Sequence, residues 1–142
     1  MDKLDWKPHP KSMTLGQLAV HVAGIPGNMA NLAKGEGFDV STRPAGPPAQ
    51  PADGTDFVAK LDQGLTTAQD VFAGWSEDDV QGTWRLSAGD REVFAIPRAQ
   101  MVRTMLLNHW YHHRGQLSLY LRMLDVAVPA VYGRSADESF FD

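Results

Sequence analysis

The stretch Asn108-His109-Trp110-Tyr111-His112-His113-Arg114-Gly115-Gln116-Leu117 decides how the chain is read. It sits inside an apolar run with helical periodicity that extends from Pro97 to about Leu124. An α-helix repeats about every 3.6 residues, so His109 and His113, four apart, stand one above the other with roughly 6 Å of rise between them. That is the spacing of a chelating pair. At about 100° per residue, Val102, Met105, Leu106, Gln116, Tyr120, Met123 and Leu124 share the histidine face. Arg103, Thr104, Tyr111, Arg114, Ser118 and Arg122 fall on the opposite side. The pair is therefore expected to face an apolar core, with His112 on its margin. Neutral imidazole is the commonest protein metal ligand, and a lone imidazole is costly to bury. The bland alternative is two ordinary core histidines, each hydrogen-bonded to a polar neighbour.

A third histidine lies on another helix. Thr14-Leu15-Gly16-Gln17 has the pattern of a capping box, in which the hydroxyl bonds the amide of Gln17 and the Gln side chain reaches back. A helix is expected from there to about Ala33, with His21 on the face shared by Leu18, Ile25, Asn28 and Leu32. Pro26 falls inside it and removes the amide that would bond the Val22 carbonyl, so a kink is expected between Gly24 and Gly27. Facing bundle helices pack with axes about 8–10 Å apart, close enough for His21, His109 and His113 to converge on one ion. Three neutral nitrogens with an open position suit Zn²⁺ or Ni²⁺ and also admit Mn²⁺ or Fe²⁺. Gln116, one turn past His113, and Asn28, two turns past His21, are expected to line the site or to serve as bonded core amides. His9, set between prolines, is expected at the surface.

The rest of the composition narrows the classes. A chain of 142 residues with 43% hydrophobic content suits one domain with one core, spanning residues 1–142. Lys and Arg total 13 against 17 Asp and Glu, a net charge of −4, and no basic block exists to neutralise a run of phosphates. Nucleic acid is not an expected partner. There is no apolar run of about 18 residues and no basic-then-apolar leader, so a soluble, cytoplasmic protein with no membrane partner is expected. With no cysteine, disulfides and thiolate ligands drop out together, and any metal must be held by His, carboxylate and water.

Residues 1–13 read as an extended lead-in that Trp6 can pin to the core. Residues 35–54 hold glycines at 35, 37, 46 and 54 and prolines at 44, 47, 48 and 51, and read as a long loop without regular structure, a lid or a mobile crossover. From Asp56 to Trp75, Phe57, Leu61, Leu65, Ala68, Phe72 and Trp75 recur at helical spacing, and Ser76 can cap a short acidic turn. Thr83–Leu86 and Glu92–Ile96 flank Ala88-Gly89-Asp90, which points to a β-hairpin or an irregular excursion before the long helix that Pro97 opens. Phe140 and Phe141 are expected to pack on the domain or on a partner.

Three segments together resemble a known family: TLGQLAVHVAG around His21, NHWYHHRGQLSLYLRML around the paired histidines, and VPAVYGRSADE near the end. They look like the DinB/YfiT-like metal-binding four-helix bundles. The resemblance implies an all-α bundle with one His on the second helix and His-x-x-x-His-Arg-Gly-Gln on the fourth, binding a divalent metal through His21, His109 and His113. It implies a homodimer, and activities such as thiol-dependent S-transfer or isomerisation. Members of that family carry a further amphipathic helix ahead of the Trp-Lys-Pro segment. Here the chain begins almost at that segment, so that helix is expected to be missing or its place covered by a partner chain. Leu107 and Leu121, which point away from the histidine face, are a second reason to expect an interface.

Two functions from different classes remain. The first is a metal-dependent S-transferase or hydrolase that activates water or a low-molecular-weight thiol toward a small electrophile. The second is a metal-binding dimeric bundle without turnover, since no general acid or base stands out beside the three ligands. Arg114 points away from the metal and is read as structural, paired with Asp137 or Glu138 in the tail.

Overall fold

The computed structural model describes residues 3–139. Helix α1 spans Leu15–Lys34 and opens on the expected box: the Gln17 amide bonds Thr14 Oγ1 at 3.1 Å and the Thr14 amide bonds Gln17 Oε1 at 2.9 Å. Two more amides of its first turn, those of Leu15 and Gly16, are taken by the carbonyls of Trp6 and Leu4 at 2.8 and 2.9 Å. The lead-in is thus the backbone cap of α1. Trp6 packs edge-on against Tyr120, ring centroids 5.5 Å apart, and ties that cap to the last helix. His9 is exposed, as its prolines suggest.

Helix α1 runs unbroken through Pro26 and packs along α2 (Phe57–Ala73), which Asp56 caps. The two helices meet through glycines. A Cβ on Gly27 would stand 2.9 Å from Gly64 Cα, and one on Gly64 would stand 3.2 Å from the Ala23 carbonyl. Buried Ala30 and Ala68 continue the seam toward Val71. Short α3 (Glu77–Gln81) carries the acidic turn, with Ser76 and Asp79 forming a reciprocal cap.

Strands β2 (Thr83–Ala88) and β3 (Arg91–Pro97) pair antiparallel about Gly89-Asp90, with Gly89 at φ +60°. A third strand, β1 (Gly37–Asp39), joins β2 in parallel, giving the order β1-β2-β3. The all-α expectation is corrected by this sheet: the protein is mostly helical and carries a three-stranded mixed sheet. Its physical basis is Gly37. A Cβ there would collide with the Arg85 carbonyl, so only glycine lets β1 close on β2. The segment read as structureless therefore opens with a strand, and a 3₁₀ turn at Val40–Thr42 follows. Trp84, fully buried, anchors the sheet on α1 with its indole N–H donating to the Leu32 carbonyl at 3.1 Å.

The last long helix comes in three parts: α4 (Arg98–Met101), a π-helical segment over Val102–Asn108, and α5 (His109–Met123). Tyr120 of α5 and Leu124 just after it pack on Leu15, Leu18 and Val22, with Leu117 and Leu121 against them. Leu121 thus faces the core rather than an interface, while Met123, placed inward by periodicity, is exposed. The core stripe of α5 is centred on Leu117, Tyr120 and Leu121, and the histidines flank it. In the tail, Arg122 takes Asp137 as a bidentate partner. Arg114 stacks instead on Tyr111 and Tyr132, at 5.1 and 5.0 Å from the ring centroids, which corrects its expected pairing with Asp137 or Glu138. Phe140 and Phe141 lie outside the described residues.

The glycine seam gives a direct test. Gly27→Val should lower unfolding stability by about 1–3 kcal/mol, because α2 backbone occupies the space a side chain needs. Gly133→Ala, where nothing lies within 4 Å of the added carbon, should change it little. Urea unfolding of both variants reads the difference, and equal midpoints would show that the seam is not tight.

Candidate metal centre

The two helices bring their imidazoles together. His21 Nε2 lies 3.3 Å from His109 Nε2, which lies 2.9 Å from His113 Nε2. Ligating atoms of the three all fall within 4.8 Å of one another. Nitrogens bound to one cation at about 2.0–2.1 Å, with angles near 90–110°, are about 2.8–3.4 Å apart. Both Nε2 separations fall in that range, so these three side chains can hold one ion. Other groupings of three His or carboxylate side chains with this reach do not occur among the described residues.

Protonation favours the same use. His113 Nδ1 bonds Gln116 Oε1 at 2.7 Å. An amide oxygen only accepts, so the proton sits on Nδ1 and the Nε2 lone pair faces the cluster. Burial pushes the His21 pKa down to about 4, and His113, His109 and Arg43 add repulsion. Burial likewise lowers His109, reinforced by His113 and opposed by a backbone hydrogen bond at Met105. His113 is lowered by burial too, with the Gln116 bond working against it. All three rings are neutral at pH 7, the form that coordinates. They are half-buried, at the edge of the core rather than inside it. His112 is exposed.

Trp110 sets the helix spacing. Its indole N–H donates to the Val22 carbonyl at 3.0 Å. In an uninterrupted helix that carbonyl would accept from residue 26, but residue 26 is proline and has no amide hydrogen. The acceptor freed by Pro26 is thus taken by α5, one residue from His21 on one side and one residue from His109 on the other.

His21 and His109 open onto a cleft of about 760 Å³. Its apolar walls include Ile25, Leu32, Phe38 and Met105, and Asn28 also lines it. Gln116 acts through His113 instead. Thr104, placed on the far side by a 100° wheel, stands on the cleft wall because the intervening segment is π-helical and brings residues five apart onto one face. Arg43 and Lys60 also line the cleft. Neither was singled out in the sequence, where Arg43 lies in the segment read as structureless. A more open depression over residues 134–139 is built by the tail alone and contains no imidazole.

A mostly helical scaffold with three convergent imidazoles at the edge of an apolar cleft is a candidate metal-binding bundle. Residues 1–117 match the DinB superfamily, and the chain belongs to it. The fold is similar to that of a DinB-like protein from Bacillus subtilis, with a TM-score of 0.64 and 16% identity over 89% of this chain and 78% of that one. It is also similar to a DinB-like protein from Bacillus cereus, with a TM-score of 0.56 and 18% identity over 92% and 81% of the two chains. No protein of curated function matches. No described helix is long and apolar enough to cross a membrane.

Two predictions follow from the site's own chemistry. Trp110→Phe should cost about 1–3 kcal/mol, the usual cost of leaving a polar group unsatisfied away from water. Adding Pro26→Ala, which restores the amide, should recover part of that loss. A double-mutant cycle with no coupling would mean that the indole does not serve this carbonyl. In chelator-treated protein, the unfolded chain binds protons near the ordinary His value of 6.5 while folded His21 resists until about 4. The unfolded state then holds more protons, so stability should fall as pH drops through that window, and His21→Gln should flatten the fall. Denaturant midpoints from pH 7 to 4.5 measure it.

Proposed function

We propose that this chain is a metal-dependent enzyme in which His21, His109 and His113 hold a divalent cation beside the substrate cleft. The observation that carries this reading is the convergence of three neutral Nε2 atoms where two of the rings open onto a cavity. The donor set suits Zn²⁺ or Ni²⁺, with Mn²⁺ or Fe²⁺ also accommodated. A bound ion supplies Lewis acidity, lowering the pKa of a water or low-molecular-weight thiol for attack on a small electrophile. Gln116 keeps the His113 proton on Nδ1, and Trp110 holds α5 against α1. Ile25, Leu32, Phe38 and Met105 exclude water around the apolar part of a substrate. S-transfer to a thiol and hydrolysis are the two reactions this arrangement serves. A cytoplasmic setting belongs with the reading, because a thiol co-substrate must stay reduced.

One observation favours a second reading, a metal-binding bundle without turnover: the described residues lining the cleft include no Asp or Glu to act as general base. Either reading includes a second copy of the chain as partner. Leu119 and Met123, four apart on α5, remain 58% and 52% exposed and offer an apolar face for it.

Protein prepared without an affinity tag should carry about one divalent ion per chain by elemental analysis. His21→Ala should lose it, and Gln116→Ala should bind it roughly 10- to 100-fold more weakly, as loss of an outer hydrogen bond to a ligating His does. His21→Ala that holds as much metal as the parent sinks the ligand set. A panel of thiols and electrophiles then separates the readings, since turnover that disappears with the metal supports the enzyme. Leu119→Lys with Met123→Lys should shift a dimer to monomer in light scattering.

A further inference from the structure

The charged side chains that line the cleft are all cationic, and the protein as a whole is not. Arg43, following the 3₁₀ turn after β1, and Lys60, on α2, belong to the wall that includes His21 and His109. No carboxylate lines it among the described residues, although the chain carries a net charge of −4. Chance placement of surface charge on an acidic protein does not favour that combination. Nor are the two cations engaged elsewhere. The ion pairs between described residues join Arg85 to Glu92 and Arg122 to Asp137, and the side chains of Arg43 and Lys60 have no such partner.

Arg43 is also held in place. Its amide closes the 3₁₀ turn on the Val40 carbonyl at 3.2 Å. Asp39 Oδ1 accepts from the Ser41 amide at 2.9 Å and from the Gly89 amide at 3.0 Å, which clasps the turn to the tip of the hairpin. Arg43 shares the lining of this one cleft with His21 and His109. The same cleft also has apolar walls, with Ile25, Leu32, Phe38 and Met105 among its lining residues.

We infer that the cleft selects small anionic molecules, with a carboxylate held by Arg43 and Lys60 and an apolar body lying toward the histidine cluster. This deepens the proposed function by naming the substrate class, and it rests on that reading only in taking the cleft as the substrate site. Arg43 and Lys60 are then specificity residues: both are exposed, and their charge distinguishes an acid from a neutral molecule of the same shape.

The test is direct binding of 4-phenylbutyrate and its neutral counterpart 4-phenylbutanol to the full chain by titration calorimetry, with metal and after chelation. The carboxylate should bind roughly tenfold more tightly, a gap that shrinks at high salt, as two partly exposed charge pairs allow. In Arg43→Gln with Lys60→Gln the gap should fall to about twofold, whereas Arg43→Lys should keep most of it. Circular dichroism confirms that each variant is folded. Equal binding of acid and alcohol by the parent overturns the inference. So does a preference that survives in the double variant, since the imidazole cluster or its ion would then be the anion's partner. Because the readout is binding, the two readings fail separately. Acid selection persisting in a chain that takes up no metal removes the enzyme and leaves the anion site. Turnover of neutral substrates without acid selection does the reverse.

Discussion

The hydrogen bond from the Trp110 indole to the Val22 carbonyl is the interaction on which the site depends. Proline within a helix ordinarily costs a backbone bond and leaves an acceptor without its partner. Here the loss is converted into an attachment point: the free carbonyl of Val22 meets a donor from the opposing helix at 3.0 Å. Val22 follows His21 and Trp110 follows His109, so a bond between these neighbours fixes how far apart the two imidazoles stand. A typical net hydrogen bond contributes only about 1 kcal/mol, but an orphaned carbonyl costs more than that. The pair Pro26 and Trp110 is thus more consequential together than either residue is alone. The opposite side of α1 is gripped equally closely, where Gly27 meets Gly64 and leaves no room for side chains. Helix α1 has little freedom to slide, and His21 inherits that fixity.

The sheet looks peripheral to a helical bundle, yet it builds part of the cleft. Phe38 and Leu86, register partners on β1 and β2, both contribute to the wall. Trp84 locks the same strands onto the Leu32 carbonyl near the end of α1. The Asp39 clasp fixes the turn from which Arg43 emerges, and its carboxyl is held below the usual range mainly by the Gly89 amide and then by Ser41. The hairpin thereby acts on the site twice, directly through Leu86 and indirectly through the loop that its tip residue Gly89 stabilises.

Much of the helical scaffold was legible because it rests on local rules. The Thr14–Gln17 box, the Ser76 cap and the Gly89-Asp90 hairpin turn are decided by residues a few positions apart, and each forms as its letters suggest. The gathering of His21, His109 and His113 was legible from helical periodicity, since both helices keep a regular turn close to those residues. Strand β1 was not, because three residues in a segment full of Gly and Pro are ordered by a distant backbone and leave no pattern in the local sequence. The π-helical segment defeated the wheel for a related reason. Its periodicity differs from that of an α-helix, so Thr104 moved from the predicted outer face to the cleft. Arg43 was illegible for the first reason: nothing near it in sequence shows that a strand and a turn carry it to the cleft of the histidines.

The half-burial of the imidazoles is itself a compromise that the fold can reach only at a core edge. Rings left fully in water would titrate near their ordinary value, and protons would compete with a cation just below neutrality. Rings sealed in the core would stay neutral but could not meet a substrate. At the flank of the Leu117–Tyr120–Leu121 stripe, desolvation is the largest cause of the lowered pKa of all three histidines, yet His21 and His109 still open onto the cleft. The Gln116 bond pulls His113 the other way, so it cannot be explained as a device for keeping the ring deprotonated. Its effect is directional: it fixes which nitrogen carries the hydrogen, and a ring with its proton on Nδ1 can present only Nε2 to the other two. Burial sets the charge state and the amide sets the orientation. A cluster with the first but not the second would be neutral without converging.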